Sequence, residues 1–430
     1  ITSASATPKG GNALLLGTQT FDGLGRLTTS VSGGRTQTYS YSGACASPAT
    51  VRDNMKNQLN YAYIAELDDA VASVKSSSGD IDQRFIYAMQ TGKMLEAHEA
   101  NGRSKTMSWW PTGELQQETF FMPGKQTRTA GYAWTLQGQP LKYIDVAGNE
   151  QTLDYDDYGR VITISDPQVT VSIAYDAAGR VSSQNALAKD GTRLLTTLTW
   201  DDFNREIKRV ISPSGASALS IVQTFTASDL IATRQVSDAS TVIRSETFTY
   251  DVRNRLIKYE CSGSEPTVDG YGQPVKSQTF TLDALSNITR CVTVIAGGGT
   301  DTATFLFTNS QDPTQLTEVK HSLTACYPAH IVLQYDANGR MTRDEAGRML
   351  SYDALGRLTR ICDASNKPLS TYHYDALNKL VMQSLTGDDR QLFYTGERLV
   401  NEACSKTQKI TRFIPGNSGS AAVSEDGFAS

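Results

Sequence analysis

No stretch of the 430 residues holds an apolar run approaching the length of a bilayer span, so no membrane-crossing helix is expected. Lysine and arginine number 40 against 45 aspartate and glutamate, a formal net charge of −5 spread without a basic cluster or stripe. That leaves little electrostatic footprint for a polyanion, and nucleic acid is not expected as a partner. Histidine is scarce: His98, His321, His330 and His373 fall in neither an HExxH nor an HxH pattern, so neither a metal site nor a cofactor is expected. The six cysteines, at positions 45, 261, 291, 326, 362 and 404, contain no CxxC pair and no histidine at zinc-finger spacing. They read as reduced thiols, which suits folding in a bacterial-type cytosol. Only 13 prolines occur, several at turns such as Asp166-Pro167, Ser212-Pro213 and Asp312-Pro313, and strongly periodic helical stretches are missing. The chain begins at Ile1 without a basic-then-apolar leader, and a fragment of a longer gene product is expected.

What the sequence does hold is self-similarity. The phrase aromatic-Asp-x-x-Gly-Arg-apolar occurs at Phe21-Asp22 with Gly25-Arg26-Leu27, and at Tyr155-Asp156 with Gly159-Arg160-Val161. It returns at Tyr175-Asp176 with Gly179-Arg180-Val181, at Tyr335-Asp336 with Gly339-Arg340-Met341, and at Tyr352-Asp353 with Gly356-Arg357-Leu358. Asparagine replaces the glycine in Trp200-Asp201 with Asn204-Arg205, Tyr250-Asp251 with Asn254-Arg255, and Tyr374-Asp375 with Asn378-Lys379. Asparagine is the residue after glycine that most readily takes a left-handed backbone, so the exchange has a physical basis. Weaker copies fall near Tyr87, Trp110, Tyr132, Asp145 and Asp283. The step is mostly about 20 to 25 residues, giving roughly 17 repeats in a period range that marks repeat architectures.

Asp at the first and Gly at the fourth position are the preferences of a type I turn, with the carboxylate accepting from turn amides. A positive φ at the Gly or Asn suits a hairpin closed by such a turn and a bulge. β-prone alternation flanks the turns, as in Val161-Thr163-Ser165, so about 22 residues make one β-hairpin. The expected fold is all-β: repetitive antiparallel hairpins forming one long curved sheet over residues 1–415, with a poorly ordered Gly/Ser/Ala-rich tail over 416–430. The glycines of 296–300 read as a flexible insertion and 261–273 as a long loop. The Arg or Lys after each turn is expected to pair across strands with a neighbouring acid, and the aromatics to stack across strands.

Repeated YDxxGR phrases at this spacing resemble the Rhs/YD-repeat family of bacterial polymorphic toxins and of the B and C components of insecticidal toxin complexes. The resemblance covers nearly the whole chain. It implies a sheet that spirals into a hollow shell, a toxic effector domain enclosed until delivery, and partners in the remaining shell segments and a secretion or delivery component. The implied location is the bacterial cytoplasm before export and then the medium or a target cell. Many family members cut their toxin free at an Asp-Pro-x-Gly motif. Here Asp166-Pro167-Gln168-Val169 and Asp312-Pro313-Thr314-Gln315 lack that glycine and lie inside the array, so the chain is expected to be a structural wall and not itself an enzyme. Gly416-Asn417-Ser418-Gly419-Ser420 has a serine-loop look but no placed His-Asp pair. The alternative reading is a secreted or cell-surface carbohydrate-binding or adhesion module that uses the recurrent aromatics.

Overall fold

The computed structural model describes residues 2–6, 14–416 and 419–427. Among these, the only helical element is one 3-10 turn, Ala65–Leu67, and no helix is long and apolar enough to cross a membrane. The other elements are short antiparallel strands, most paired with the next in sequence, and they fall in a 28-stranded and a 10-stranded sheet where one long sheet was expected; among the described residues no pairing joins His330–Val332 to Gln334–Tyr335. Of the described residues, 2–4, 17–170, 334–416 and 419–427 make one compact unit, and 5, 6, 14–16 and 171–333 a second.

Burial with a period of two marks the strands of both units. In the second unit, Ile288–Ile295 buries Cys291, Thr293 and Ile295 while the residues between them stay half-exposed, so one face packs and the other meets solvent. Its neighbour Thr300–Leu306 buries Asp301 and Ala303 in the same phase. Packing is local, as a hairpin array requires: Cys291, Ala303, Val319 and Ile331 form one small core, and Tyr259, Cys261 and Val275 another.

The first unit contains two runs of hairpins, 17–170 and 334–427, that touch along their turns. Asn54 Nδ2 donates to the Ala337 carbonyl at 2.9 Å and Asn338 Nδ2 to Asp53 at 2.6 Å. Further along, the Ala354 amide donates to Asp80 at 2.8 Å, Gln83 to Asn378 at 3.1 Å and Arg103 Nε to the Tyr374 carbonyl at 3.1 Å. Lys125 then pairs with Asp389 at 2.5 Å, and Arg412 Nε with Asp145 at 2.8 Å. Apart from the crossed pair Gln83–Asn378 and Arg103–Tyr374, contact partners rise together from turn to turn in the two runs, so they lie side by side in the same sense. The seam closes on a core of Ala130, Val146, Phe393, Ala403 and Ile410, with Phe120 edge-on to Phe393 at 5.5 Å.

Three expectations change here. Residues Gly419–Gly427 of the expected tail form a strand paired with Lys409–Gly416, because a ladder of backbone bonds needs no apolar periodicity; residues 417, 418 and 428–430, and with them the centre of the serine-loop phrase, lie outside the described residues. The glycine run at 296–300 is no insertion. It closes a turn of the common kind, with Ile295 N bonded to Gly299 O at 3.0 Å and Gly298 N to Ile295 O at 3.1 Å. The loop after Cys261 likewise contains a regular turn, Asp269 N to Gln273 O at 2.9 Å and Gly272 N to Asp269 O at 3.0 Å.

Candidate functional site

The recurrent phrase folds into a clasp. At Asp22, the backbone N–H bonds to the Arg26 carbonyl at 3.0 Å and the Asp22 carbonyl accepts from Gly25 N at 3.0 Å, which closes the turn. Its carboxylate Oδ1 accepts from Leu24 N at 2.9 Å and Arg26 N at 3.0 Å, and Oδ2 from Arg26 Nε at 2.7 Å. The same three bonds recur at Asp156, Asp176, Asp201, Asp251, Asp336 and Asp353. Gly25, Gly159, Gly179, Gly339 and Gly356 hold φ between 75° and 81°, and Asn204, Asn254 and Asn378 between 61° and 64°, where a residue without Cβ or with a short amide costs least. The register slips by one residue between the aromatic and the residue before it, so Phe21 pairs with Leu27, Tyr155 with Val161 and Tyr250 with Leu256. That slip is the bulge that completes a hairpin closed by a type I turn.

Charge follows geometry. The Arg26 amide and guanidinium hold the Asp22 carboxyl below the usual carboxylate range, and Arg160, Arg180 and Arg205 do the same, against burial, for Asp156, Asp176 and Asp201. At Asp251, Arg255 brings the carboxyl down to about 2. Asp375 departs from the pattern. Its Oδ1 accepts from Leu377 N at 3.0 Å and Lys379 N at 2.8 Å, but Lys379 turns its ammonium to Glu397, and burial pushes the Asp375 carboxyl up.

The arginine was expected to pair with an acid on a neighbouring strand. Instead it ties its own turn to the next one along the chain. The second arm of Arg26 donates to the Gly43 and Cys45 carbonyls at 2.8 Å, that of Arg180 to the Asp201 carbonyl at 2.8 Å, and that of Arg255 to the Asp283 carbonyl at 2.9 Å. Arg340 reaches Asp353 O at 3.1 Å and Arg357 reaches Asn378 at 2.8 Å. Aromatics answer in the opposite direction. Tyr250 OH donates to Ile231 O at 2.9 Å, Trp200 Nε1 to Val181 O at 2.7 Å, Tyr352 OH to Met341 O at 2.7 Å and Tyr374 OH to Leu358 O at 2.9 Å. The preceding cation lies over the ring: Arg26 over Tyr41 at 4.4 Å, Arg205 over Phe225 at 4.9 Å and Arg357 over Tyr374 at 4.8 Å. A ladder of ring-on-ring stacks is therefore not how these aromatics are used.

Several clasps escape a search keyed to the aromatic. Turns at 53–57, 99–103, 344–348 and 363–367 close with the same pair of backbone bonds, and Asp344 and Asp363 also bind the turn amides. Asp followed by Gly or Asn three residues later, without the leading ring, would have found the last two. The histidines serve local pairs, His321 with Asp301 at 2.7 Å and His330 with Glu318 at 2.9 Å, while burial lowers His373. Asp166 accepts from Gln151 at 3.0 Å and from Arg412, and Asp312 from its own turn at Thr314. Among the described residues no three His, Cys, Asp or Glu side chains gather as a metal-binding set.

Residues 352–390 match the RHS Repeat family model. No curated protein matches the chain. Among solved structures, a mutant Tc holotoxin pore of Photorhabdus luminescens is 12% identical with a TM-score of 0.46, covering 95% of this chain and 28% of that one. A TcdB2-TccC3-Cdc42 structure is 12% identical at TM-score 0.48 with the same coverage, and a TcdB2-TccC3 structure 12% identical at 0.44, covering 97% and 29%. The chain thus spans under a third of the length of those it matches. The matched stretch is seated on the clasps of Asp353 and Asp375, and the same clasp recurs from Asp22 onward.

Proposed function

We propose that the chain is a structural segment of the wall of an Rhs-type shell that encloses a toxic effector domain until delivery. The observation that carries this reading is the seam of the first unit, where the runs 17–170 and 334–427 join turn to turn along their length. An array that docks beside itself makes a surface wider than any one strand, which is what a wall needs and a string of independent binding modules does not.

The activity of such a segment is sequestration, a steric barrier between cargo and cytosol, and the chain is proposed to have no catalytic role. The recurrent use of each motif residue supports this, since Asp, Arg and aromatic are all consumed in holding turns together. The partners proposed are the remaining shell segments, the enclosed effector and a delivery component, with assembly in the bacterial cytoplasm before export. Electron cryomicroscopy of the natural full-length protein, with whatever chains copurify, tests it. A closed particle with density inside is expected; a solid or open-edged particle overturns the reading.

A further inference from the structure

A hollow of about 450 Å³ opens in the first unit between strands of its two runs, within the range of small-ligand sites. Its walls are largely aromatic and aliphatic, among them Phe120, Tyr132, Trp134, Tyr394, Leu377 and Val381. Three lysines border it, and each is already paired with a glutamate: Lys105 with Glu118, Lys379 with Glu397, and Lys142 with Glu150 at 2.9 Å. The Asp375 carboxylate remains. It lines both this hollow and the smaller one beside it, and among the described residues no donor bonds its Oδ2, the oxygen that Arg Nε holds at 2.6–2.7 Å in the clasps with arginine at the fifth position. Lys105 and Arg357 act to lower the Asp375 carboxyl, but they are committed to Glu118 and Asp353, and burial outweighs them in raising it.

One anion without an ion-pair partner, beside rings of which Phe120 already lies under Lys105 at 5.3 Å and Tyr394 under Lys379 at 5.8 Å, is complementary to an organic cation. We propose that this hollow is a binding site for a small aromatic amine, its ring held between the aromatic walls and its ammonium bonded to Asp375 Oδ2. The substitution of Lys379 for the usual arginine is what leaves the oxygen open, so the site arises from one departure in an otherwise regular clasp.

Titration calorimetry of the 430-residue chain with 1-naphthylmethylamine, against 1-naphthylacetate as an anion of the same shape, tests the proposal. The amine is expected to bind at one site and the acid about tenfold or more weaker. Asp375→Asn keeps an acceptor for the turn amides and is expected to weaken the amine by about tenfold while sparing 1-naphthylmethanol. Val381→Trp, which fills the hollow, is expected to abolish binding of all three. Equal affinity for amine and acid, or no binding of the amine, overturns the proposal on the unaltered chain, whatever the variants do.

Discussion

The carboxylate of Asp251 accepts two backbone amides and the Arg255 guanidinium, and these bonds are stronger to the anion than to the neutral acid. Its carboxyl is brought from an ordinary 3.8 to about 2, so folding favours the ionised form. Because the folded value is the depressed one, the stabilisation is fully present above pH 3.8 and is lost as pH falls through about 2. Carbon-detected NMR titration of Asp251 is expected to give an apparent value near 2, and the urea midpoint to decline through that window; a midpoint flat from pH 4 to 2 would remove the clasp from the stability of the fold. Glycines separate by a different criterion. Gly25 has φ +75° with open space where a Cβ would go, so Gly25→Asn is expected to change stability by about 0.5 kcal/mol or less, as Asn204 already occupies the equivalent position. At Gly263, φ is +121° and a Cβ would stand 2.2 Å from the Ile243 carbonyl oxygen, so Gly263→Ala is expected to cost about 3 kcal/mol or more in urea unfolding.

Between neighbouring hairpins the link is an arginine reaching forward and an aromatic reaching back. Tyr374 tests the two halves separately, since its hydroxyl bonds the Leu358 carbonyl at 2.9 Å while its ring carries Arg357 at 4.8 Å. Tyr374→Phe removes the first and leaves the second, and a loss of about 1 kcal/mol in chemical unfolding is expected. Phe225 shows that the fold accepts this arrangement, for it has no hydroxyl and still lies under Arg205 at 4.9 Å. A loss indistinguishable from zero would mean that solvent satisfies the Leu358 carbonyl equally well. The turns themselves were legible in the sequence because their causes are local: Asp and Gly stand three residues apart and each answers to a steric or hydrogen-bonding need within about five residues. The forward and backward links were not, because their partners lie 13 to 28 residues away on turns whose alignment depends on strand register. Lys379 shows the limit from the other side: a conservative-looking exchange at the fifth position sends the cation to Glu397 and changes what the turn exposes.

At the scale of the molecule, what holds the first unit's two runs together could not be read from the sequence at all. Arg412 sits where the period-two pattern of Lys409–Gly416 places a core residue, between Ile410 and Ile414, and nothing in the phrase around it announces a partner more than 240 residues earlier. In the structure it is 1% exposed and bonded to Asp145 and Asp166, which are 2% and 0% exposed, with Asn401 and Gln151 completing the acids' hydrogen bonds. Two buried carboxylates sharing one guanidinium are stable only while the cation is present, since removing one partner leaves charge in a low-dielectric site. Arg412→Met keeps the volume and removes the charge, and a loss of about 3 to 5 kcal/mol is expected, with hydrogen exchange accelerating first in Lys409–Gly416 and in the turns at 145–149 and 166–168. Neutralising both acids at the same time, by Asp145→Asn and Asp166→Asn, is expected to recover much of that loss, because the cost comes from the orphaned carboxylates and not from the absent bond. If the triple variant is as unstable as Arg412→Met alone, the seam depends on the geometry of the guanidinium itself; if Arg412→Met is silent, the apolar contacts of Phe120, Phe393 and Ile410 suffice to hold the runs side by side.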